Sequence, residues 1–337
     1  MTEPLVSVIV LNWNGKKFLS KCLGSLLEQD YPNYEVLLVD NGSTDGSIEF
    51  VKERLGKNSR LRLIALDENY GFAKGNNIGI KYAHGKYVII LNNDTEVKRS
   101  FIRKLVKTAK SDDQIGSVTC KILSTDSRLW FSQKFTNRGF IVPFFLQNLT
   151  RDRIRRISNV FRSNIGNAGC AVLYKKSVLN KIGYYDEDFW SNWEDYDLGY
   201  RINIAGFKSI YIPLPLVLHV GGGSEGFSPD RYVRIYRNML LTYFKNYESK
   251  NLLVRFLIFL FLLLPLHHLG WIVSHILFYK PEFEKRKSYQ YVFSLVKAYT
   301  HFMRRLRHFV EKRVMIQKLR KDSDKQIFSR TKTRYIV

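Results

Sequence analysis

Apolar and polar positions alternate in blocks along the first hundred residues. Four short runs are mostly apolar. VSVIVLN (6–12) predicts a strand that is buried on both faces, YEVLLVD (34–40) a second buried strand, and LRLIAL (61–66) and YVIILN (87–92) two further strands. Between them, apolar residues recur at helical spacing, first from Phe18 to Leu27 and again over 72–83. Strands that alternate with helices in this way predict an α/β fold with a mostly parallel sheet flanked by helices.

Polar residues follow each of these four predicted strands. They are NWNG (12–15), Asp40 in VDNGSTD, Asn69 in ENYG and Asp94 in LNNDT. Ligands of an open parallel sheet bind beyond the carboxyl ends of its strands, so the four stretches are expected to line one crevice. Each polar residue alone could simply end a strand or cap a helix. The four together favour a binding site.

The pattern is weaker in the middle of the chain and becomes clear again near residue 166. Residues 151–162 indicate a basic helix or loop, 166–183 a turn, a strand and a helix, and 206–224 a strand, a proline turn and a short strand. DEDFWSNWEDYDLGYR (186–201) lies between the last two and has six acids within twelve residues, with two tryptophans among them. Because crowded carboxylates repel one another, this cluster is expected to have a function.

In contrast to this acidic cluster, the chain as a whole is strongly basic. Its 337 residues include 54 Lys and Arg against 30 Asp and Glu, a net charge of +24. Residues 280–337 hold 17 of these bases and five of the acids, which is half of the net charge. Nucleic acid, anionic lipid head groups and phosphorylated substrates are all candidate partners for such a chain. Its three cysteines are widely spaced, which argues against a disulfide framework or a structural zinc site.

Taken in order, five stretches of the sequence resemble the family 2 inverting glycosyltransferases of GT-A fold, nearest to the rhamnosyltransferase-like branch. The stretches are SVIVLNWNG, LLVDNGSTDGS, ENYGFAKGNNIGI, YVIILNNDT and GYYDEDFWSNWEDYDLGYRINIAG, and together they extend from about residue 5 to 225. The resemblance implies inverting transfer of a sugar from a UDP-, dTDP- or GDP-sugar to a glycan or lipid-linked acceptor. It also implies a donor-binding half at 1–100 and an acceptor and catalytic half at 101–245.

The same resemblance implies roles for individual residues. Asp195 would be the base that deprotonates the acceptor hydroxyl, and its neighbour Glu194 would hold acceptor hydroxyls. Asp94 and His219 would hold a divalent metal, Mg²⁺ or Mn²⁺, on the donor diphosphate, although the first carboxylate of the family's D-x-D pattern is replaced by Asn92. The remaining assignments are Asn12, Trp13, Asn14, Asp40, Asn69, Asn76, Asn77 and Asn93 for the nucleotide sugar, and Trp190 and Trp193 for the acceptor, with Trp193 favoured as the tryptophan that faces it.

The other charged residues of the acidic cluster have a structural interpretation. Residues 186–188 are expected to cap or solvate a turn. Asp197 and Arg201 are four residues apart on a helix predicted to begin after Asp195, so they are expected to form an ion pair. A structural role is also open for His219, because it follows an apolar strand.

Residues 246–337 form a third region, which begins with an uncharged apolar run at 256–278. The run is long enough to span a bilayer, but Pro265 interrupts it, and one crossing would put the basic tail on the wrong side for the positive-inside rule. We therefore expect a hydrophobic hairpin and a basic, membrane-associating helical tail that lies on anionic head groups at the cytoplasmic face, peripheral or monotopic. A buried helical pair in a soluble protein is the alternative.

Two other functions remain as alternatives. A nucleotidylyltransferase also has a nucleotide-binding α/β sheet and a metal, but its Gly-rich, basic N-terminal loop is missing. The glycines of YGFAKGNNIG (70–79) match neither the dinucleotide pattern GxGxxG nor the phosphate loop GxxxxGK[ST], which argues against an NAD-dependent dehydrogenase and a P-loop NTPase. A nucleic-acid-binding protein is suggested by charge alone. Because no nucleic-acid-binding module is recognisable, no nucleic-acid partner is expected.

Overall fold

The computed structural model describes residues 2–54, 58–124, 169–220, 228–252 and 293–330, with short pieces between 256 and 269. At its centre is an eight-stranded sheet with the order β3-β2-β1-β4-β7-β6-β8-β5. The strands are β1 Val6–Asn12, β2 Tyr34–Asn41, β3 Leu61–Leu66, β4 Tyr87–Asn92, β5 Thr95–Val97, β6 Ile115–Ser124, β7 Ala171–Lys175 and β8 Lys208–His219. Only β5 and β7, among these strands, run against the common direction. The predicted, mostly parallel sheet is confirmed.

Helices pack on both faces of this sheet. The longer helices of the described residues are α1 Lys16–Leu27, α2 Ser47–Arg54, α3 Gly71–Tyr82, α4 Phe101–Lys110, α5 Lys176–Ile182, α6 Glu194–Ile204, α7 Pro229–Asn246, α8 Ser294–Arg304, α9 Leu306–Lys318 and α10 Asp324–Arg330. Val8 and Val10 of β1 belong to one buried cluster with α1 and α4, whereas Ile9 belongs to another with α3 and α6. Since successive side chains of a strand point to opposite faces, β1 needs apolar residues at every position.

Strand β8 differs from the strand, proline turn and short strand predicted over 206–224. It is one continuous strand, and its pairing with β6 jumps from Cys120–Ile212 to Lys121–Pro215. The prolines of this segment therefore lie in a bulge, where the missing proline N–H costs no ladder hydrogen bond. Because the strand continues, His219 reaches the sheet edge at which β1, β2 and β4 also end.

The C-terminal helices form an additional layer against α7. Phe302 of α8 lies 5.4 Å from Phe244 of α7 and 5.3 Å from Phe309 of α9, measured between ring centroids. The described part of the basic tail is thus helical and packed on the protein. Within the part of the chain that the structure describes, no helix combines the length and the apolar character that a bilayer crossing requires.

Several sequence-based predictions lie partly or wholly outside the described residues. The basic segment 151–162 is one of them, and most of the apolar run 256–278 is another. The hairpin and its membrane association therefore stay predictions. The two predicted halves, 1–100 and 101–245, share one sheet, because β4 pairs with β7 and β5 pairs with β8.

Candidate active site

Side chains at the ends of β1, β2 and β4 form one hydrogen-bonded network. Asn12 donates from Nδ2 to Asp40 Oδ2 at 2.9 Å and accepts at Oδ1 from Asn93 Nδ2 at 2.7 Å. Asp40 Oδ1 accepts from the backbone N–H of Ser43 at 2.8 Å, which holds the loop after β2. A Cβ on Gly15 would lie only 2.1 Å from Asn93 Nδ2, so any other residue there would displace the Asn93 side chain from this network. The structure thus brings together three residues predicted to bind the nucleotide.

Two more of the predicted asparagines hold the loops around this network. The backbone N–H of Asn14 donates to Ser43 Oγ at 2.9 Å, and Asn14 has a φ of 49°. Trp13, next to it, is partly buried. Asn69 Oδ1 accepts from Asn41 Nδ2 at 2.8 Å, which ties the loop after β3 to the end of β2. Both loops are therefore fixed at the carboxyl edge of the sheet.

Asn76 and Asn77, which were also predicted to line the nucleotide pocket, lie within α3. Asn76 Nδ2 donates to the carbonyl of Phe72, and its buried Oδ1 has no hydrogen-bond partner among the described residues. Asn77 donates to the carbonyl of Tyr185 at 2.9 Å and accepts from the N–H of Tyr185 at 3.0 Å. The side chain of Asn77 thus joins α3 to the segment before the acidic cluster.

Asp94 and His219, the predicted metal ligands, lie side by side. His219 pairs with Thr95 in the sheet, and its Nε2 is 3.1 Å from Asp94 Oδ1. The two atoms are at ion-pair distance, and the buried Asp94 Oδ1 has no hydrogen-bond partner among the residues that the structure describes. An imidazole nitrogen and a carboxylate oxygen are ligands that Mn²⁺ accepts. The pair fits a divalent metal whose other ligands come from a diphosphate or water. No group of three or more His, Cys, Asp or Glu within the described ranges could hold a metal by itself.

The predicted catalytic pair forms the first turn of α6. Asp195 accepts from the N–H groups of Gly169 at 3.0 Å and of Tyr196 at 2.9 Å. Burial raises the pKa of Asp195 to about 6, although these two donors act in the opposite direction. Burial, and then the charge of Asp195, raise the pKa of Glu194 well above its usual range. Glu194 Oε2 is buried and has no hydrogen-bond partner in the described part of the chain. At neutral pH the pair therefore favours one negative charge, on Asp195.

Cys170 connects this pair with the predicted metal site. It follows Gly169, which binds Asp195, and its carbonyl accepts from the N–H of Asn92 at 3.0 Å. Burial raises the pKa of the Cys170 thiol, and the nearby carboxylates of Asp94 and Asp195 both add to the effect. Asp195 thus lies at the same edge of the sheet as Asp94.

Residues 189–193, here called the tryptophan loop, precede the catalytic pair. Trp190, Asn192 and Trp193 have φ values of 61°, 69° and 75°, in a region that residues other than glycine rarely adopt. Asn238 of α7 stabilises this backbone, because its Nδ2 donates to three carbonyls of the loop at 2.7 to 3.0 Å. Sequence analysis missed Asn238, although an asparagine within an apolar helical stretch is a usable signal.

The two tryptophans of the loop differ in their surroundings. The indole of Trp193 packs against Tyr196 and Tyr243, at ring-centroid distances of 4.7 and 6.0 Å. Trp190 is 42% exposed and lies against Gly71, where a Cβ would come within 2.6 Å of the indole. Trp190 therefore presents the more open aromatic face to a ligand.

A buried lysine neutralises part of the acidic cluster. Lys245 of α7 is 1% exposed, and its Nζ lies 2.5 Å from Asp186 Oδ2 and 2.9 Å from Asp197 Oδ1. Burial alone would raise the pKa of Asp186, but Lys245 and Lys312 outweigh it and hold that pKa well below its usual range. The predicted ion pair between Asp197 and Arg201 is confirmed, with Nε 2.9 Å from Oδ2.

The basic tail supplies the remaining partners of the cluster. Asp188 lies 2.8 Å from Arg305 Nη2 and 2.6 Å from His308 Nε2, and it also contacts Lys312. The expected turn is present, because Asp186 accepts from the N–H of Asp188 at 3.1 Å. The acids of 186–188 therefore have a second role, which is to bind α9 and the residue before it.

Residues 7–183 match the family model described as Glycosyl transferase family 2. An uncharacterized glycosyltransferase of Haemophilus influenzae is 25% identical over 62% of this chain and 68% of its own length. Glycosyltransferase GlyG of Streptococcus pneumoniae is 36% identical over 33% of this chain and 37% of its own. Poly-beta-1,6-N-acetyl-D-glucosamine synthase of Staphylococcus epidermidis is 27% identical over 63% of this chain and 48% of its own length. The chain thus spans about half or less of the last two relatives.

Solved structures with a similar fold include two enzymes bound to nucleotide sugars. Mannosyltransferase PcManGT of Pyrobaculum calidifontis, in complex with GDP-Man and Mn²⁺, has a TM-score of 0.57 and 18% identity over 94% of this chain and 86% of its own. TarS 1–349 of S. aureus, in complex with UDP-GlcNAc, has a TM-score of 0.53 and 18% identity over 93% and 90%. The predicted α/β fold of GT-A type is confirmed by these similarities.

Proposed function

Because the chain belongs to glycosyl transferase family 2, we propose that it transfers a sugar, with inversion, from a nucleotide-diphosphate sugar to a hydroxyl of a glycan or lipid-linked acceptor. One arrangement supports this proposal above all: Asp195 shares a sheet edge with the Asp94–His219 pair and with the Asn12–Asp40 network. These groups correspond to a base, a metal site and a nucleotide pocket. The five sequence motifs favour the rhamnosyltransferase-like branch. The family match favours this function over the nucleotidylyltransferase and nucleic-acid-binding alternatives.

The donor would lie across the carboxyl ends of β1, β2 and β4. The Asn12–Asp40 network and the fixed loops at Asn14 and Asn69 offer polar groups for the base and ribose, and Trp13 borders them. Asn76 Oδ1, buried and without a described partner, is a further acceptor for a ligand hydroxyl or N–H. GDP-Man and UDP-GlcNAc are bound by proteins of the same fold, which supports a nucleotide sugar as the donor class.

Asp94 and His219 would hold the divalent metal, Mg²⁺ or Mn²⁺. When bound, the metal supplies positive charge that stabilises the departing diphosphate. The lone pairs of the buried Asp94 Oδ1 suit this purpose, because no hydrogen bond from the described part of the chain uses them. With only two protein ligands, the metal affinity depends on the diphosphate, so donor and metal are expected to bind together.

Asp195 would act as the general base. It removes the proton of the acceptor hydroxyl while the acceptor oxygen forms a bond to the anomeric carbon. The bond from that carbon to the diphosphate oxygen breaks on the opposite side, and this inverts the configuration. With its pKa raised to about 6, Asp195 is ionised at neutral pH and more basic than an ordinary aspartate. Glu194, whose pKa is raised further above its usual range, would keep its proton and donate a hydrogen bond to the acceptor.

The site of action would be the cytoplasmic face of a membrane. Support comes from the described pieces of the apolar run, in which the large side chains of Phe261, Leu262 and Leu269 are exposed. Exposed apolar groups beside a basic surface suit anionic head groups. Residues 305–313, by contrast, also have a structural role, since Arg305, His308 and Lys312 form ion pairs with the acidic cluster.

The proposed metal site predicts a metal-dependent affinity for nucleoside diphosphates. Calorimetry with UDP and GDP should give an affinity for one of them that is higher with Mn²⁺ than with EDTA, by about tenfold or more. Asp94→Ala should remove this difference. Asp113→Ala is the matched control, because Asp113 is a fully exposed acid just before β6 begins, at the edge of the sheet opposite the proposed site. An unchanged Mn²⁺ effect in Asp94→Ala would rule out Asp94 as a metal ligand.

A further inference from the structure

A cavity of about 730 Å³ lies between α7, α8 and residues 187–190. Cationic side chains dominate its wall: Arg234, Arg237, Lys297, Arg304 and Arg305. Three carboxylates also line it, and one of them, Asp188, is already paired with Arg305. No residue of this wall has a role in the transfer step proposed above, apart from Trp190.

Five cationic side chains line this cavity against three carboxylates, so the cations are in excess among its described lining residues. Lys297 and Arg304 form no ion pair with any residue of the described ranges. Burial, and then the charges of Arg237, Arg304 and Arg305, lower the pKa of His301. Gathering like charges costs free energy unless an anion accompanies them. Guanidinium groups in particular bind phosphate in a two-pronged geometry.

The cavity adjoins the acceptor side of the active site. Trp190 lines it with its partly exposed indole, immediately before the catalytic pair. Arg234 also borders it and lies close enough to Glu194 to oppose the rise of the Glu194 pKa. A ligand in the cavity would therefore be a neighbour of the acceptor sugar.

An apolar stripe on α8 runs beside the cationic wall. Val296 lines the cavity and is 58% exposed, and Phe293 and Met303 are 54% and 61% exposed. These positions are separated by three and seven residues, so they lie on one side of the helix. A cationic wall next to an exposed apolar stripe matches an amphiphile that carries phosphate.

We propose that this cavity binds the diphosphate of a lipid-linked acceptor, with the start of the lipid chain along the apolar stripe of α8. The attached sugar then extends past Trp190 towards Asp195. The proposal rests on the proposed transferase function and narrows its acceptor class. A neutral glycan would not need the cations, and a soluble phosphate would not need the apolar stripe.

The test is calorimetry on the full chain in EDTA, which keeps the metal-dependent donor site inactive. Farnesyl diphosphate should bind at least about tenfold more tightly than either inorganic pyrophosphate or farnesol, because it alone uses both surfaces. Lys297→Ala/Arg304→Ala should lower its affinity by about tenfold or more. The control pair is Arg307→Ala/Lys318→Ala, which removes the same charge from exposed positions of α9 that do not line the cavity. The control should stay within about twofold of the wild type.

Asp94→Ala should keep the affinity for farnesyl diphosphate, which separates this cavity from the donor site. A failure of the nucleoside diphosphate assays therefore leaves the farnesyl diphosphate result interpretable. Likewise, a failure of farnesyl diphosphate to bind leaves the proposed donor site untouched. Equal affinities for farnesyl diphosphate and pyrophosphate would overturn the proposal, as would equal losses in both paired variants. Binding to phosphatidylglycerol vesicles that needs Lys297 and Arg304, with unchanged farnesyl diphosphate affinity, would identify a head-group site instead and also overturn it.

Discussion

Replacing Asp195 with asparagine should lower the rate of sugar transfer by about 10²- to 10⁴-fold, the usual contribution of a general base. The side chain keeps its shape, and its carbonyl oxygen can still accept one of the two N–H bonds that orient Asp195. The variant loses the group that accepts the proton of the acceptor hydroxyl. Donor affinity should therefore be retained, and the loss should appear in kcat measured at saturating donor and acceptor.

Glu194→Gln is the matched control for this experiment. Like Asp195→Asn, it replaces a carboxyl group by a carboxamide. Because the pKa of Glu194 is raised well above its usual range, Glu194 favours its protonated form, and an amide resembles that form. Its effect on kcat should be clearly smaller than that of Asp195→Asn. The wild-type rate should also fall as the pH decreases through about 6, because protonated Asp195 cannot act as a base. Equal rates for wild type and Asp195→Asn would refute the assignment of the base.

Lys245→Met should lower the free energy of unfolding by about 3 kcal/mol, the lower end of the cost of removing one partner from a buried ion pair, because Asp186 keeps Lys312 and Asp197 keeps Arg201. Lys245 is the shared partner of Asp186 and Asp197, and methionine fills a similar volume without neutralising either carboxylate. The measurement is urea denaturation at pH 7. Because the neighbouring turn leads into the tryptophan loop, transfer activity should fall together with stability.

Lys250→Met serves as the control, because Lys250 is largely exposed and its ion-pair partner among the described residues is the surface carboxylate of Glu248, at 2.9 Å. Its effect on stability should be below about 1 kcal/mol. The double variant Lys245→Met/Asp186→Asn should lose less than the sum of its single changes, since both changes remove the same contact between Lys245 and Asp186. A Lys245→Met protein as stable as the wild type would contradict the buried ion-pair network.

The strands β1 to β4 could be predicted almost to the residue, because each is a short apolar run between polar ends. Strands β1 and β4 are buried on both faces, whereas β3 lies at the edge of the sheet and is only partly buried. Because these strands are parallel, the polar residues after them were expected at one edge of the sheet. Asn12, Asp40, Asn93 and Asp94 do lie there. Strand β8 was predicted as two pieces because proline usually ends a strand. Only the pairing with β6 reveals that a bulge absorbs both prolines.

The partners of the acidic cluster could not be predicted in this way. Asp188 pairs with Arg305 and His308, more than a hundred positions away, and no local pattern links such residues. The charge of the tail was therefore assigned to a membrane alone. Lys245 gave one usable signal, a single cation inside the apolar stretch MLLTYFKN. A lysine in such a place requires a buried acid, and the chain has a cluster of them to offer.

The most direct test of the proposed function is the release of nucleoside diphosphate from a panel of nucleotide sugars. UDP-GlcNAc, UDP-glucose, UDP-galactose, GDP-mannose and dTDP-rhamnose would each be incubated with the wild-type protein and Mn²⁺ or Mg²⁺, and with Asp195→Asn in parallel. The wild type should release nucleoside diphosphate from at least one of them in a metal-dependent manner, and the variant should do so at a rate lower by about 10²-fold or more. Release from none of a panel that bears uridine, guanosine and thymidine, or release at equal rates by both proteins, would contradict the proposed function.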